Sequence, residues 1–263
     1  MVSDLTIAVT TVSRPEALRK CLSSIFNNVS IKYELLVYDN SPTEINKPIL
    51  DKIQDKPNVR VIHDPELKCL NECRNNIVDN VETQYLLFVS DDITIPKKQV
   101  ERMYQFITEN TDIDIVSPMW CVQNRLKECG QYIHFGKYNG KRYVWKSFIH
   151  YLDVVKMGLN AIKVDIGLGT IMHNVSIYRK VRWDERYNWF YDEFDFGMQC
   201  YFERIQWYSL TNVVFYHHRI PYSDNTLKHL KSGKSDKRKF EEKWNVIHIG
   251  SLGAGLRDPC PSV

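Results

Sequence analysis

The sequence has no long hydrophobic run and almost no excess of one charge. None of its apolar stretches approaches the roughly 20 residues that a membrane-spanning helix needs. Its 35 Lys and Arg residues exceed its 32 Asp and Glu residues by only three, so we do not expect nucleic acid as a partner. A basic region followed by an apolar signal core is also missing near Met1. We therefore expect a cytoplasmic protein rather than a membrane-spanning or secreted one.

The sequence also lacks the cysteine patterns of disulfide scaffolds and zinc sites. Its seven cysteines are an odd number, and no two of them form a Cys-x-x-Cys pair. Cys69 and Cys73 are one helical turn apart, which is typical of helix packing. This usage favours a reducing compartment. With 43% hydrophobic residues among 263, the chain can bury a full core without such crosslinks.

Strand patterns alternate with helical patterns over the first 118 residues. β-rich apolar runs predict strands at 5–10, 34–39, 59–63, 85–89 and 113–118. Helical spacing predicts helices that begin near Pro15 and extend over 70–81 and 100–110. Nearly continuous apolar strands alternating with helices predict an α/β fold, with a mostly parallel sheet covered by helices on both faces. In such sheets ligands bind at the carboxyl ends of strands, where Thr11, Asp39, Asp91 and Asp92 fall.

Asp91 and Asp92 directly follow the apolar strand at 85–89, and two adjacent carboxylates repel each other. A divalent cation would neutralise them, whereas the plain alternative is a loop start in which Asp92 caps the next segment. A second acidic cluster at 192–195 and the tandem histidines at 217–218, after another apolar run, favour the cation. Such carboxylates and an imidazole can together hold a metal and move protons.

The composition changes twice along the chain. After Pro118 come short β patterns rich in Tyr and Trp, and from about Tyr222 the sequence is basic and polar. We divide the chain accordingly into 1–118, 119–221 and 222–263. The last segment predicts a solvated helix face or a contact with an anionic membrane surface. Its basic residues are Lys228, Lys231, Lys234, Lys237, Arg238, Lys239 and Lys243.

Seven segments, in this order, resemble glycosyltransferase family 2 of the GT-A fold. They are TTVSRP at 10–15, LVYDNS at 36–41, NECRNN at 71–76, LFVSDD at 87–92, RWDERY at 182–187, YDEFDFG at 191–197 and VVFYHH at 213–218. The resemblance covers about residues 5–219. It implies a Rossmann-like, mostly parallel sheet flanked by helices, with a mixed α/β acceptor half. Residues 1–118 would bind a nucleotide sugar, 119–221 would bind the acceptor and catalyse transfer, and 222–263 would be a basic extension.

The resemblance also implies a metal that neutralises the diphosphate of the donor as the glycosidic bond breaks. Asp92 is then the direct ligand and Asp91 lies close to the metal or the ribose. His217 completes the metal shell, unless His218 takes that place. Because imidazole joins carboxylate, Mn²⁺ ranks ahead of Mg²⁺.

Four more residues are implied to bind the donor. Asp39 would accept a hydrogen bond from the base, commonly uracil, and the loop containing Thr11 and Arg14 would lie under the same nucleotide. Arg74 would bind the diphosphate, because a guanidinium forks onto phosphate oxygens. The plain alternatives are a turn aspartate at 39 and a surface arginine at 74.

The catalytic base falls in the acidic cluster. An inverting transfer needs a carboxylate that takes the proton of the acceptor hydroxyl. The catalytic aspartate of the family falls on Glu193 here, and the extra methylene leaves Asp192 or Asp195 as alternatives. An acidic first turn of a helix is the plain explanation. Trp189, Tyr191 and Asp195 are predicted to face the acceptor.

The sequence therefore predicts a metal-dependent, inverting glycosyltransferase of polysaccharide biosynthesis. It would move a hexose-type sugar from a UDP-sugar to a hydroxyl of a glycan or lipid-linked glycan. One alternative is a GT-A module that binds nucleotide or glycan without turnover, favoured by the departure at Glu193. A nucleotidyltransferase would need a glycine-rich phosphate loop after the first strand, which is missing. Transfer to modified nucleic acid rests only on the basic tail.

Overall fold

Helices and strands alternate through the computed structural model, which describes residues 3–126, 128–187, 191–220, 233–252 and 258–259. The helices are α1 (Pro15–Asn28), α2 (Lys47–Leu50), α3 (Leu70–Asp79), α4 (Gln99–Glu109), α5 (Tyr151–Lys156), α6 (Asp192–Phe202) and α7 (Gly233–Trp244). Short 3-10 turns occupy Glu44–Asn46 and Val175–Arg179. None of the helices in the described ranges has the length and apolar character needed to cross a bilayer.

The strands fall into two sheets. The first half of the chain contributes β1 (Leu5–Thr11), β2 (Glu34–Asp39), β3 (Val59–His63), β4 (Tyr85–Ser90), β5 (Ile93–Thr94) and β6 (Ile115–Val122). The remainder contributes β7 (Arg125–Leu126), β8 (Gly130–Tyr138), β9 (Lys141–Ile149), β10 (Ala161–Val164), β11 (Met172–Asn174), β12 (Trp207–His217), β13 (Ile247–Leu252) and β14 (Asp258–Pro259).

The larger sheet has eleven strands. Its main path runs β10-β12-β6-β11-β4-β1-β2-β3, and β5, β7 and β14 pair outside this path. β1 pairs in parallel with both β2 and β4, and β2 pairs in parallel with β3. β6 and β12 are also parallel, whereas the short β11 inserts antiparallel between β4 and β6. The predicted mostly parallel sheet is confirmed.

β1 shows why these strands read as continuous apolar runs. Ile7 and Val9 point into the core formed with α1, while the intervening Ala8 points into the core formed with α3. Side chains alternate between the two faces of a strand, so a strand covered on both faces must be apolar at nearly every position. Helices on both faces therefore leave the carboxyl ends of the strands as the open edge of the sheet.

β6 is the one strand of the first half whose predicted bounds differ clearly from the structure. It begins two residues late, because Ile113 still belongs to the turn after α4, where its amide bonds to the carbonyl of Asn110. It also continues past Pro118, which has no N–H for the ladder. The neighbouring strand accommodates the proline with an irregularity: the register shifts between Leu210 and Val214, next to Pro118.

The smaller sheet contains β8, β9 and β13. β8 and β9 form a hairpin whose two-residue turn, Asn139 and Gly140, has φ values of 47° and 75°. Both residues tolerate the left-handed region that such a turn requires. β13 then pairs in parallel with β9. The hairpin lies in the region where the sequence predicted short strands, at 131–148.

α7 packs against α6 through a third hydrophobic core. Phe240 is fully buried, and its ring stacks on Phe194 of α6 with ring centres 4.5 Å apart. Lys243 Nζ and Trp244 Nε1 each donate a hydrogen bond of 2.8 Å to the carboxylate of Asp195. Residues 233–252 were predicted to belong to a C-terminal extension, and here they contribute to the same folded unit as α6. The division at 118 and 221 stays a prediction.

We expect Phe240→Ala to lower the free energy of unfolding by about 3–5 kcal/mol, because it removes a fully buried ring. Urea unfolding followed by circular dichroism measures this change. Arg238→Ala is the control on the same helix, since its side chain is 75% exposed and should cost less than about 1 kcal/mol. Equal effects of the two variants would contradict the packing of α7 on α6.

Candidate active site

A cavity of about 530 Å³ opens at the carboxyl ends of the parallel strands. The charged and histidine side chains in its wall come from α3, α6, β9, β12, β13 and the turn after β4. The wall is formed by Leu70, Arg74, Ser90, Asp92, Trp120, Lys146, Gly169, Tyr191, Asp192, Glu193, Phe194, His217 and His248. The structure thus brings together, in one cavity, Asp92 and His217 from the predicted metal site and the predicted catalytic pair Asp192 and Glu193.

A second cavity of about 60 Å³ adjoins the first and shares Leu70 and Ser90 with it. Its wall contains residues from the ends of β1 and β2, from α3 and from the loop before α3. They are Thr10, Thr11, Val12, Arg14, Asn40, Leu67, Lys68, Leu70, Cys73 and Ser90. The two cavities follow the open edge of the sheet as one cleft.

Arg14 neutralises the Asp91–Asp92 pair. Its guanidinium forms a two-pronged contact with the Asp91 carboxylate through Nε and Nη2, and its Nη1 donates to Asp92 Oδ2 at 3.2 Å. Nη1 also donates to the carbonyl of Ile220 at 2.9 Å, and Thr11 adds a 2.7 Å hydrogen bond to Asp91. Burial nevertheless raises the pKa of Asp91 to about 6. A protein cation therefore already compensates the pair, and Asp91 lies beneath the cavity instead of in its wall.

Asp92 and His217 face each other at the wall of the cavity. The Oδ2 atom of Asp92 lies 3.3 Å from Nε2 of His217. Burial acts to raise the pKa of Asp92, but the hydrogen bond with His217 and the charge of Arg14 outweigh it and hold this pKa below its ordinary value. The imidazole of His217 packs edge-on against Trp120, with ring centres 4.6 Å apart. His218 instead bonds to Thr94 Oγ1 at 2.8 Å and is not part of the wall.

These two side chains fit a divalent cation that also binds phosphate. A carboxylate oxygen and an imidazole nitrogen stand side by side, and the Nδ1 atom of His217 is buried without a hydrogen-bond partner in the structure. Within the described ranges no group of three or more His, Cys, Asp or Glu residues could hold a metal. A cation here would therefore take one or two protein ligands and complete its shell with water and substrate oxygens, as Mg²⁺ commonly does.

Asp39 is buried at the end of β2 and has several partners. Its Oδ1 accepts hydrogen bonds from Ser41 Oγ at 2.5 Å and from Asn46 Nδ2 at 2.9 Å, and its Oδ2 lies 3.2 Å from Nδ1 of His63. The bond to Ser41 matches the turn-aspartate alternative. Its carboxylate is thus held rigidly at the open edge of the sheet, and its contact with a nucleotide base stays a prediction.

Arg74 has a partner within the acidic cluster. Its Nη1 lies 3.1 Å from Oδ2 of Asp192, and its guanidinium lies over the ring of Trp183 at 4.0 Å from the ring centre. Only 6% of the Arg74 side chain is exposed, so it is not a surface arginine. Burial raises the pKa of Asp192, although the charge of Arg74 acts against this rise.

Glu193 lies beside Asp192, and none of the described residues places a cation in contact with it. Burial, and next the charge of Asp192, raise the pKa of Glu193 to about 7. The side chain packs over Gly169, where an added Cβ atom would overlap Oε1 of Glu193. Carboxylates whose pKa is raised into the neutral range in a cavity are typical of general bases.

The three predicted acceptor contacts have different outcomes. Tyr191 lies in the cavity wall, and its hydroxyl is 2.8 Å from Nδ1 of His248. Trp189 lies outside the described residues. Asp195 is fully buried and turns away from the cavity, because its carboxylate accepts hydrogen bonds from Lys243, Trp244 and Gln199. Asp195 anchors α7 and does not meet an acceptor in this arrangement.

Lys146 and His248 line the cavity although sequence reasoning singled out neither. Lys146 belongs to β9 and His248 to β13, so both come from the smaller sheet. Lys146 follows the ordinary alternation of a hairpin strand, and His248 falls in the region predicted as an extension. No signal in the sequence distinguished them, because only the packing of the smaller sheet brings them to the cavity.

The chain belongs to Glycosyl transferase family 2, whose sequence model matches residues 6–177. The family resemblance is thereby confirmed over this range, which ends before the motifs at 182–218. No curated protein matches the sequence.

Solved structures share the fold at low sequence identity. TarS 1-349 of S. aureus is 16% identical with a TM-score of 0.61, over 82% of this chain and 60% of that one. The same fragment in complex with UDP-GlcNAc is 16% identical with a TM-score of 0.61, over 88% and 61%. GalNAc-T7 with UDP, GalNAc and Mn²⁺ is 11% identical with a TM-score of 0.65, over 93% and 55%. The chain therefore spans about three fifths of these relatives, and the predicted GT-A fold is confirmed.

We expect Arg14→Met to destabilise the fold by about 3–5 kcal/mol, because it leaves the buried Asp91 carboxylate without its cation. Arg19→Met on α1 is the control, since Arg19 is exposed and pairs with the exposed Glu16. The double variant Arg14→Met/Asp91→Asn should regain part of the loss. Urea unfolding at pH 7.5 measures all four proteins, and an Arg14→Met variant as stable as Arg19→Met would contradict the compensation.

Proposed function

We propose that this glycosyltransferase transfers a sugar from a nucleoside diphosphate donor, with a UDP-sugar favoured, to a hydroxyl of a glycan or lipid-linked glycan. The observation that carries this proposal is the shared cavity, which joins Asp92 and His217 to the carboxylate of Glu193. A transfer of this kind needs one region that handles a diphosphate and another that removes a proton. Both kinds of group meet in one cavity of the size of a substrate site.

The cleft supports a donor that lies along the edge of the sheet. The nucleoside would lie along the cleft at the smaller cavity, which is too small to enclose it, near Thr11, Asn40 and the buried Asp39. The diphosphate would pass Ser90, which both cavities share, towards Arg74. TarS in complex with UDP-GlcNAc and GalNAc-T7 with UDP are relatives of this fold, which favours UDP as the nucleotide.

Asp92 and His217 would hold the divalent cation. Mn²⁺ is our first choice, because one of the two ligands is an imidazole and because GalNAc-T7 was solved with Mn²⁺. When bound, such a cation neutralises the negative charge that builds up on a departing diphosphate. Asp92 contacts Arg14 as well as His217, so part of its charge is already compensated before any cation binds.

Glu193 would be the base of an inverting transfer. Asp192 is held by Arg74, whereas the carboxylate of Glu193 has no cation in contact and a pKa near the working pH. The acceptor oxygen attacks the anomeric carbon, its proton passes to Glu193, and the bond from the anomeric carbon to the diphosphate breaks on the opposite side. Tyr191 and Trp120 would offer aromatic faces to the sugar rings.

The broader biological setting is part of the same proposal. A role in polysaccharide biosynthesis in the cytoplasm agrees with a nucleotide-sugar donor. A lipid-linked acceptor would place the protein at a membrane surface, and the basic residues of α7 are the candidates for that contact. Lys237 and Arg238 have exposed side chains, each with a glutamate of the same helix nearby.

We expect UDP to raise the melting temperature only together with Mn²⁺, because the cation would join the diphosphate to Asp92 and His217. A ligand that binds the folded state stabilises it by mass action. Asp92→Asn should abolish this Mn²⁺-dependent rise, while Asp112→Asn, an exposed carboxylate outside the cleft, should keep it. Differential scanning fluorimetry with UDP, Mn²⁺ and chelator measures these shifts. A full Mn²⁺-dependent shift in Asp92→Asn would show that the cation binds elsewhere.

We expect Glu193→Gln to keep the stabilisation by UDP and Mn²⁺ but to lose about 10²–10⁴-fold in transfer rate, which is the usual contribution of a general base. Release of UDP from UDP-GlcNAc and UDP-GalNAc, with a panel of glycan acceptors, measures transfer. Asp192→Asn is the matched variant and should weaken UDP binding more than turnover, because Arg74 loses the carboxylate that orients its guanidinium. Full transfer by Glu193→Gln would exclude it as the base.

A further inference from the structure

Glu193 and Lys146, two groups of opposite charge, both line the cavity. Arg74 and Asp192 are in contact at 3.1 Å. The neighbouring Glu193 and Lys146, which also line the cavity, have no ion pair within 4 Å in the described ranges. Side chains of opposite charge that share a low-dielectric space normally pair or are neutralised. An unpaired carboxylate and an unpaired ammonium in one cavity therefore point to a functional use.

Lys146 is held at the cavity by its strand and by an aromatic ring. In the middle of β9 its backbone pairs with Ile133 of β8 and Ser251 of β13. Its Nζ atom lies 4.7 Å from the ring centre of Phe194, the residue that follows Glu193. A cation over an aromatic face is stabilised there without a carboxylate in contact. The ammonium is thus held next to the segment that carries the proposed base.

Four charged groups from separate elements face Glu193. They are Asp192 on α6, Arg74 on α3, Lys146 on β9 and Glu128 before β8. Asp192 and Glu128 oppose the ionisation of Glu193, while Arg74 and Lys146 favour it. Of the two cations Arg74 acts more strongly on Glu193, although its guanidinium is in contact with Asp192. Lys146 is the second cation, and it has no carboxylate within 4 Å among the described residues.

We propose that Lys146 is a positioning residue that adds to Arg74 a second compensating charge for Glu193 and so favours the ionised carboxylate that accepts the acceptor proton. This inference rests on the proposed function of Glu193 as the base. The proton leaves the acceptor hydroxyl for the carboxylate as the oxygen bonds to the anomeric carbon and the diphosphate departs with the electron pair of the broken bond. Burial lowers the pKa of Lys146, and the charges of Glu193, Glu128 and Asp192 act against this shift.

The pH dependence of stability tests this coupling without donor or acceptor. The pKa of Glu193 is raised from 4.5 to about 7, so the folded protein binds more protons than the unfolded chain between these values. Stability therefore falls as the pH rises through that window. Removing the ammonium of Lys146 raises the pKa of Glu193 in the folded protein. Above that pKa, each further unit of the rise multiplies the unfolding equilibrium constant by ten. Lys146→Met should thus lose extra stability between pH 6 and pH 9.

A double-mutant cycle isolates this effect from the titration of Lys146 itself. Urea unfolding between pH 5 and pH 9 compares wild type, Lys146→Met, Glu193→Gln and the double variant. The extra loss at high pH should appear in Lys146→Met and disappear when Glu193 is already Gln. Lys146→Gln repeats the cycle with a second neutral side chain, and Lys141→Met, exposed on the same strand, is the control. Parallel curves for wild type and both neutral variants would overturn the proposal.

The pH profile of transfer gives a second readout. Lys146→Met should move the midpoint of the rising limb upwards by about one pH unit, and Lys146→Arg should restore it, because Arg keeps the charge. An unmoved midpoint with intact activity would overturn the role of Lys146 alone. A coupling in the unfolding cycle together with full transfer by Glu193→Gln would overturn the base assignment, on which the role of Lys146 depends.

Discussion

The buried contact between Arg14 and Asp91 is the interaction on which the arrangement of the cleft depends. It joins the loop after β1 to the end of β4, and through the carbonyl of Ile220 it reaches the segment after β12. These are the strands that carry the cleft. A guanidinium fixed by a two-pronged contact has little freedom to move. The negative charge at Asp92 is consequently presented by a rigid edge rather than by a mobile loop.

The first half of the fold was accessible from the sequence because its signals are local. β2 and β3 have their predicted bounds, and α3 and α4 differ from theirs by one or two residues. A strand buried on both faces is recognisable in the sequence as a continuous apolar run, and the polar residues at its end mark the open edge of the sheet. Asp92 and His217 were predicted from such strand ends, whereas Glu193 was predicted as the base from the family resemblance.

The remaining features depend on packing between distant segments. The cation that compensates Asp91 and Asp92 in the structure is Arg14, 77 residues earlier in the chain, whereas sequence reasoning required a metal for the same charge. In the sequence Asp195 is an acidic residue in the first turn of a helix. In the structure its carboxylate accepts hydrogen bonds from Lys243 and Trp244. Lys146 reaches the cavity only because the β8–β9 hairpin folds onto α6. No periodicity or motif within one segment predicts such contacts between distant segments.

Gly169 and Glu193 form a linked pair. The glutamate is one methylene longer than the aspartate that the family pattern has at this position, and the space for its carboxylate is available because residue 169 lacks a Cβ atom. A side chain at 169 would displace the carboxylate of Glu193 from its present position. Among related sequences the two positions should therefore covary, with glycine at 169 accompanying glutamate at 193. This covariation would identify relatives that share the present position of the glutamate.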